Sequence, residues 1–290
     1  MSTRAVVLAA ALFAIMLAPA TAQRAVDAET IRVRYTEALE EIKATGSRGP
    51  AVDAFLKSLP RADGLFVVEG DMLMSEAEVI QSYLTTQVAQ GQVPPGPELK
   101  MNLLPSGELD RYDAKHRTLS YAIARRTFNN QSQFETVLKY FSAATAAWER
   151  ACPQCGIRFR HVAASDLEPS MRQVNFIVRN FDAKGEYVAA SFFPHDAPAR
   201  RFLNLDPSYY STTFDKVGVL RHELGHVLGY RHEHIDGIPG CYREPDRHWT
   251  ALTPYDSKSV MHYFCGGGGS MALLLTSTDI IGHVAVYKLR

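Results

Sequence analysis

The segment His222-Glu223-Leu224-Gly225-His226-Val227-Leu228-Gly229-Tyr230-Arg231-His232 constrains this chain more than any other. Coiled as a helix, it sets His222 and His226 one turn apart on the same face, where two imidazoles reach one ion. Glu223 directly follows the first of them, beside such an ion without being forced to bind it. Gly229 takes a positive φ at little cost and stops the helix, so the chain can double back and bring in His232 as a third nitrogen. Three neutral imidazoles with an open fourth position describe a catalytic zinc site rather than a closed structural one. The neighbouring acid supplies a base for an attacking water. Five fixed positions give on the order of 1e-4 chance matches in a chain this long, so scattered surface histidines account for it poorly.

The motif resembles that of the metzincin zinc endopeptidases, which continues to a Met-turn. Here Ser259-Val260-Met261-His262-Tyr263 follows, with Met261 lying 261 − 232 = 29 residues beyond the third histidine. Two details are similar to the astacin branch: Glu233 directly follows His232, and Tyr263 stands two places after the methionine. The shorter interval and a different cysteine spacing make the likeness astacin-like rather than astacin. The resemblance implies a protein or peptide substrate, one zinc ion held by His222, His226 and His232, and Glu223 as the general base. It also implies that Tyr263 binds zinc, swings away as substrate enters, and then hydrogen-bonds the developing oxyanion. Met261 would floor the ligands, and Glu233 would stand behind them as an anchor, for instance to a new N-terminus after activation, with a plain surface glutamate as the alternative. His234 and His262 have no support from the motif.

Met1 to Ala22 reads as a secretory signal, with Arg4, an apolar core from Ala5 to Leu17, and Ala20-Thr21-Ala22 before Gln23. No later apolar run reaches the ~18 residues of a membrane span. A secreted, extracellular or periplasmic monomer without an integral span is therefore expected. Basic and acidic residues balance at 31 each, which gives no reason to expect nucleic acid as a partner.

Residues 23–110 have a different texture and are expected to form a small, mainly helical pro-segment. Ala28–Lys43, Val52–Leu59 and Ser75–Gln90 are its helix candidates, and a Pro/Gly-rich linker falls near 91–97. Astacin-type pro-segments carry a Phe-x-Gly-Asp element whose aspartate binds the zinc and excludes water. Gly70-Asp71 matches its end, with Val68 where the phenylalanine stands and Phe66 two places earlier. Asp71 is thus the candidate latency ligand, and a plain Gly-Asp turn is the alternative.

Residues 111–290 are expected to form the catalytic domain, with the α/β metzincin fold: a mixed twisted sheet, a long backing helix, an active-site helix and a C-terminal helix. Strand patterns run at 119–123, 157–162, 174–178, 187–193 and 201–205. The backing helix carries Phe134, Val137, Phe141 and Trp148, and the motif helix starts around Thr213 to Asp215. The last helix, Thr276–Leu289, is expected to pack Ile280, Ile281, Val284 and Tyr287 beneath the motif, capped by Ser277 or Thr278. Four cysteines in an exported chain imply disulfides, and sequence leaves three pairings open. Cys241–Cys265 and a tight local Cys152–Cys155 bridge are the expected set.

Two rival functions remain at this stage: a matrixin-like protease of another metzincin branch, and a secreted binding module that keeps zinc as a staple. Glu223 speaks against the staple, which needs no base.

Overall fold

Leu119, Tyr121 and Ile123 lie on the central strand of the larger sheet, buried with the Ser120 and Ala122 that separate them. That two-sided burial is what a parallel strand covered on both faces requires. The computed structural model describes residues 20–85, 99–235, 238–241 and 249–288. Residues 1–19 of the expected export signal and the linker at 91–97 lie outside these. No helix among the described residues is long and apolar enough to cross a membrane.

The central strand, β5 (Thr118–Ile123), pairs in parallel with β6 (Arg158–His161) and β7 (Phe176–Asn180). β9 (Phe202–Leu205) joins β7 in parallel, and β8 (Ala189–Ala190) closes the edge antiparallel to β9, giving the order β6-β5-β7-β9-β8. The sheet is mixed and the class is α/β, as the sequence implies.

Helix α4 (Gln131–Ala151) backs this sheet with Phe134, Val137, Phe141, Ala144 and Trp148 buried. Each large apolar side chain contributes roughly 1.5–3 kcal/mol on burial, so this face fixes the helix against the sheet. Asn130 caps it by accepting from Gln133 N. The motif helix α5 (Lys216–Val227) packs on α4, where the Trp148 indole N–H donates to Arg221 O at 2.9 Å. Asp215 caps α5, accepting from Gly218 N.

Helix α6 (Ser277–Tyr287) differs from expectation in its buried stripe. Its cap is Thr276, in a reciprocal box with Asp279, and its buried face is Asp279, Gly282, His283, Val286 and Tyr287. Ile281 is exposed. The apolar pattern misleads because the buried face carries two polar groups that find partners: Asp279 accepts from Ser259 Oγ, and His283 Nδ1 meets the Tyr230 hydroxyl.

The N-terminal unit comprises α1 (Ala20–Thr45), α2 (Pro50–Ser58) and a hairpin sheet of β1 (Arg61–Ala62), β2 (Leu65–Val68) and β3 (Met72–Met74), with an apolar cluster that Phe193 of the larger unit completes. The helix expected from Ser75 does begin with a Ser75–Glu78 capping box, as the short α3 (Glu76–Glu78). It then widens to a π-helix over Val79–Thr85. Five residues make little more than one π turn, which keeps Val79 and Leu84 both buried.

Strand β4 (Lys100–Asn102) pairs with β10 (Tyr230–Arg231) and β11 (Trp249–Ala251), and Leu99 and Met101 join the main core. Residues 99–102 thus pack with the 111–290 unit rather than with residues 20–85.

Candidate metal centre

Gly229 decides how the third histidine arrives. Its φ is +95°, and a Cβ there would meet Asp110 O at 2.2 Å, so both backbone and space demand glycine. The chain turns back into β10 and places His232 against the helix face that carries His222 and His226. The three ring centroids lie 4.8 to 5.2 Å apart, and all three residues are buried.

Hydrogen bonds behind the rings fix which nitrogens face inward. The Nδ1–H groups of His222 and His226 donate to Val260 O and Tyr230 O, each at 2.7 Å, which leaves Nε2 of both rings with a lone pair aimed at the centre. Burial holds His226 below its ordinary pKa, in the neutral form a ligand needs.

Asp71 of the N-terminal unit enters the same space. Its Oδ2 lies 3.2 Å from His222 Nε2 and 3.1 Å from His232 Nε2, and its Oδ1 lies 3.6 Å from His226 Nε2. Burial would raise this carboxyl, but the fields of His232 and His226 and hydrogen bonds from the rings outweigh it and hold Asp71 low.

The donor set fits a cation. His222 Nε2 and His232 Nε2 face each other at 3.3 Å. A tetrahedron with ~2.0 Å arms has edges of about 3.3 Å, the spacing that three nitrogens and one carboxylate oxygen adopt around zinc. The three edges among Asp71 Oδ2, His222 Nε2 and His232 Nε2, at 3.1 to 3.3 Å, match it, and Asp71 Oδ1 lies 3.6 Å from His226 Nε2.

Glu223 is buried, and its Oε2 has no hydrogen-bond partner among the described residues. Burial first, then the negative charge of Asp71, pushes this carboxyl well above its ordinary range. Tyr263 sends its hydroxyl to Asp71 Oδ2 at 2.7 Å, also within reach of Glu69 O at 3.0 Å, and its ring lies 4.3 Å from that of His232. Met261 lies under the helix, where its Sδ would stand 2.3 Å from a Cβ on Gly225. The Met-turn is tied to the third histidine by Glu233 N donating to Met261 O.

Glu233 is fully buried; its Oε1 accepts from Asp256 N at 2.8 Å, and burial pushes its pKa up to about 8. Cys152 pairs with Cys155, and Cys241 with Cys265. His234 and His262 approach Cys265, but that sulfur is held in its disulfide. Both histidines are buried.

Three participants escaped the sequence reading. Asp279 accepts from Ser259 Oγ and Val260 N and so anchors the Met-turn. The Thr276-Ser277-Thr278-Asp279 box was its available signal. Glu69 and Arg231 form a buried ion pair beside the ligands, and no local pattern announces it.

Residues 111–265, more than half of the 290-residue chain, match the matrixin family of peptidases. The chain belongs to the matrixin family. That makes it a metzincin-type metalloprotease, of the branch named above beside the astacin-like one. Among solved structures, this matrixin is similar to one titled "Structure of myroilysin", at 16% identity and a TM-score of 0.41, covering 66% of this chain and 99% of that one. Another, titled "GM1 bound form of the ECX AB5 holotoxin", stands at 12% identity and 0.38, covering 69% and 84%. No curated protein matches the chain.

Proposed function

We propose that this matrixin is an exported zinc endopeptidase, made as a precursor in which Asp71 keeps the metal centre shut. The observation that carries the reading is the convergence of three buried imidazole nitrogens, two of them fixed from behind by backbone carbonyls, beside a buried carboxylate oxygen of Glu223. A structural staple would leave that carboxylate without a task.

His222, His226 and His232 would hold the ion, which supplies Lewis acidity toward a water and a peptide carbonyl. Glu223 takes the proton of the attacking water and delivers it to the leaving amine nitrogen. Its burial, the larger cause of its raised proton affinity, suits a carboxyl that must hold a proton between the two steps. Tyr263 loses its acceptor when Asp71 departs, and its hydroxyl becomes available to the developing negative oxygen. The astacin-like features, Tyr263 and Glu233, thus sit within a matrixin framework.

Residues 20–85 form the latency unit in this reading. The mature domain starts between residues 86 and 99, because β4 is built into the larger unit.

Casein or peptide hydrolysis tests the proposal: a chelator should abolish it, zinc should restore it, and Glu223→Gln should be inactive with its metal retained. A Glu223→Gln enzyme that still turns over removes the assigned base.

A further inference from the structure

Helix α4 covers one face of the larger sheet. The residues that alternate with those of the main core point to the other face: Ala122 of β5, Ile177 and Arg179 of β7, Phe202 and Asn204 of β9, and Ala190 of β8. The N-terminal hairpin lies over one end of that face, where its Ala62, Val67 and Leu73 pack with Ala183, Tyr187 and Ala190. Asp63 and Gly64 form its tip, with φ of +52° and +75°, as a two-residue I′ turn demands. The turn brings the Asp63 carboxylate to the guanidinium of Arg179. Arg179 also donates from Nε to Asn204 Oδ1 at 2.7 Å, and its guanidinium lies 3.7 Å over the Phe202 ring.

Beyond Arg179 the same face is open. A cleft of about 560 Å³ continues from it, floored by Ile177 and Phe202 and rimmed by Arg126, Leu167, Arg172 and Arg179. That volume is within the range of sites that hold a ligand. No acidic side chain lines it, and none of the three metal-facing histidines does. Arg126 pairs with Glu168, which is not part of the lining, and both are exposed, so the pair is easily exchanged for another. Arg172 is exposed and has no ion pair among the described residues, and Leu167 stands exposed at the rim.

We infer that this cleft is a second binding site, taking an extended acidic segment of a protein substrate at a distance from the bond being cut. Three guanidiniums keep their charge at any relevant pH and present forks that match carboxylates. The apolar floor between them suits the aliphatic residues of the same segment. From β5 across β7 to β9 is two strand spacings, about 10 Å, the length of roughly three extended residues. The N-terminal hairpin shows this recognition at the border of the cleft, since a chain already lies on this face with a carboxylate on Arg179. The cleft continues that interface and stays open beside it, so it can be filled in precursor and mature enzyme alike. That the occupant is a substrate rests on the protease reading above; that the cleft binds an acidic segment does not.

Two measurements test this, and only the second needs catalysis. In the first, the full chain carrying Glu223→Gln is titrated into a fluorescently labelled peptide of glutamates alternating with leucines, and anisotropy is followed. The glutamate peptide should bind at least about tenfold more tightly than its glutamine counterpart, and added salt should weaken it. Arg172→Glu should lose about tenfold or more and turn toward a lysine counterpart, while Arg172→Lys should keep most of the affinity. Equal binding of the glutamate and glutamine peptides, or a titration unchanged by Arg172→Glu, overturns the site. Binding of dodecanoate, an amphipathic anion without a peptide backbone, where the peptide does not bind overturns the peptide assignment.

In the second, activated enzyme is given casein and a short neutral peptide. The ratio of their kcat/KM values should fall about fivefold or more in Arg172→Glu, through the KM for casein. An unchanged ratio overturns the role in substrate capture. If no form cleaves either one, the protease reading fails while the anisotropy result still decides the cleft.

Discussion

Tyr263 donates its hydroxyl to Asp71 Oδ2 across 2.7 Å, and the same oxygen lies 3.1 to 3.2 Å from the Nε2 atoms of His222 and His232. One carboxylate oxygen from the N-terminal unit thus touches two of the three imidazoles and the tyrosine together. On the proposed latency reading, substrate access and the release of Tyr263 become a single event.

Replacing Asp71 by alanine should therefore raise peptide cleavage by the uncut precursor. About tenfold is expected, the equivalent of ~1.4 kcal/mol of lost hold. The gain should stay below that of complete pro-segment removal, because Glu69 still grips Arg231. A fluorogenic peptide assay on the intact chain reads this directly, and unchanged activity would reduce Asp71 to a turn residue.

Asp279, near the start of helix α6, holds the Met-turn. It accepts from Ser259 Oγ at 2.6 Å, from Val260 N at 2.9 Å and from Thr276 N at 2.9 Å. Asp279→Ala leaves those donors buried and removes a helix cap, at about 2–3 kcal/mol. Thermal unfolding should fall by roughly 5–10 °C. Zinc affinity should fall as well, since Val260 O orients His222. A variant with wild-type melting and metal affinity would remove Asp279 from the site's support.

Glu233 gives the stability a pH dependence of known sign. Burial raises its folded-state pKa to about 8, above the ~4.3 of an unfolded glutamate. The folded chain then holds a proton that the unfolded chain has released between those values. Its contribution is fully present below about 4.3 and is lost as pH rises through 8. Glu233→Gln should flatten that slope and unfold later than wild type near pH 8.5. Denaturant titrations at pH 6 and 8.5 compare the two, and identical slopes would contradict the assignment.

The motif helix, its stop and the Met-turn were legible because metal ligation couples residue type to spacing. Glycine is demanded at 229, and the donor atoms at 222, 226 and 232 converge after the turn it makes. The sheet and α4 were legible because their apolar periods are long and regular. Strand β4 was not: it is three residues long, and its partners lie more than a hundred residues later. The face of α6 was misjudged because Asp279 and His283 are buried by partnership rather than by hydrophobicity. The Glu69–Arg231 pair was invisible for a similar reason, since two charged residues in a sequence read as surface until their partners are in place.

The most direct measurement is zinc stoichiometry by native mass spectrometry on the intact chain, comparing wild type with His232→Ala and with Glu223→Gln. One zinc per chain is expected in wild type and in Glu223→Gln, and a large loss in His232→Ala. Absence of zinc from wild type, or a full complement in His232→Ala, would contradict the three-imidazole centre.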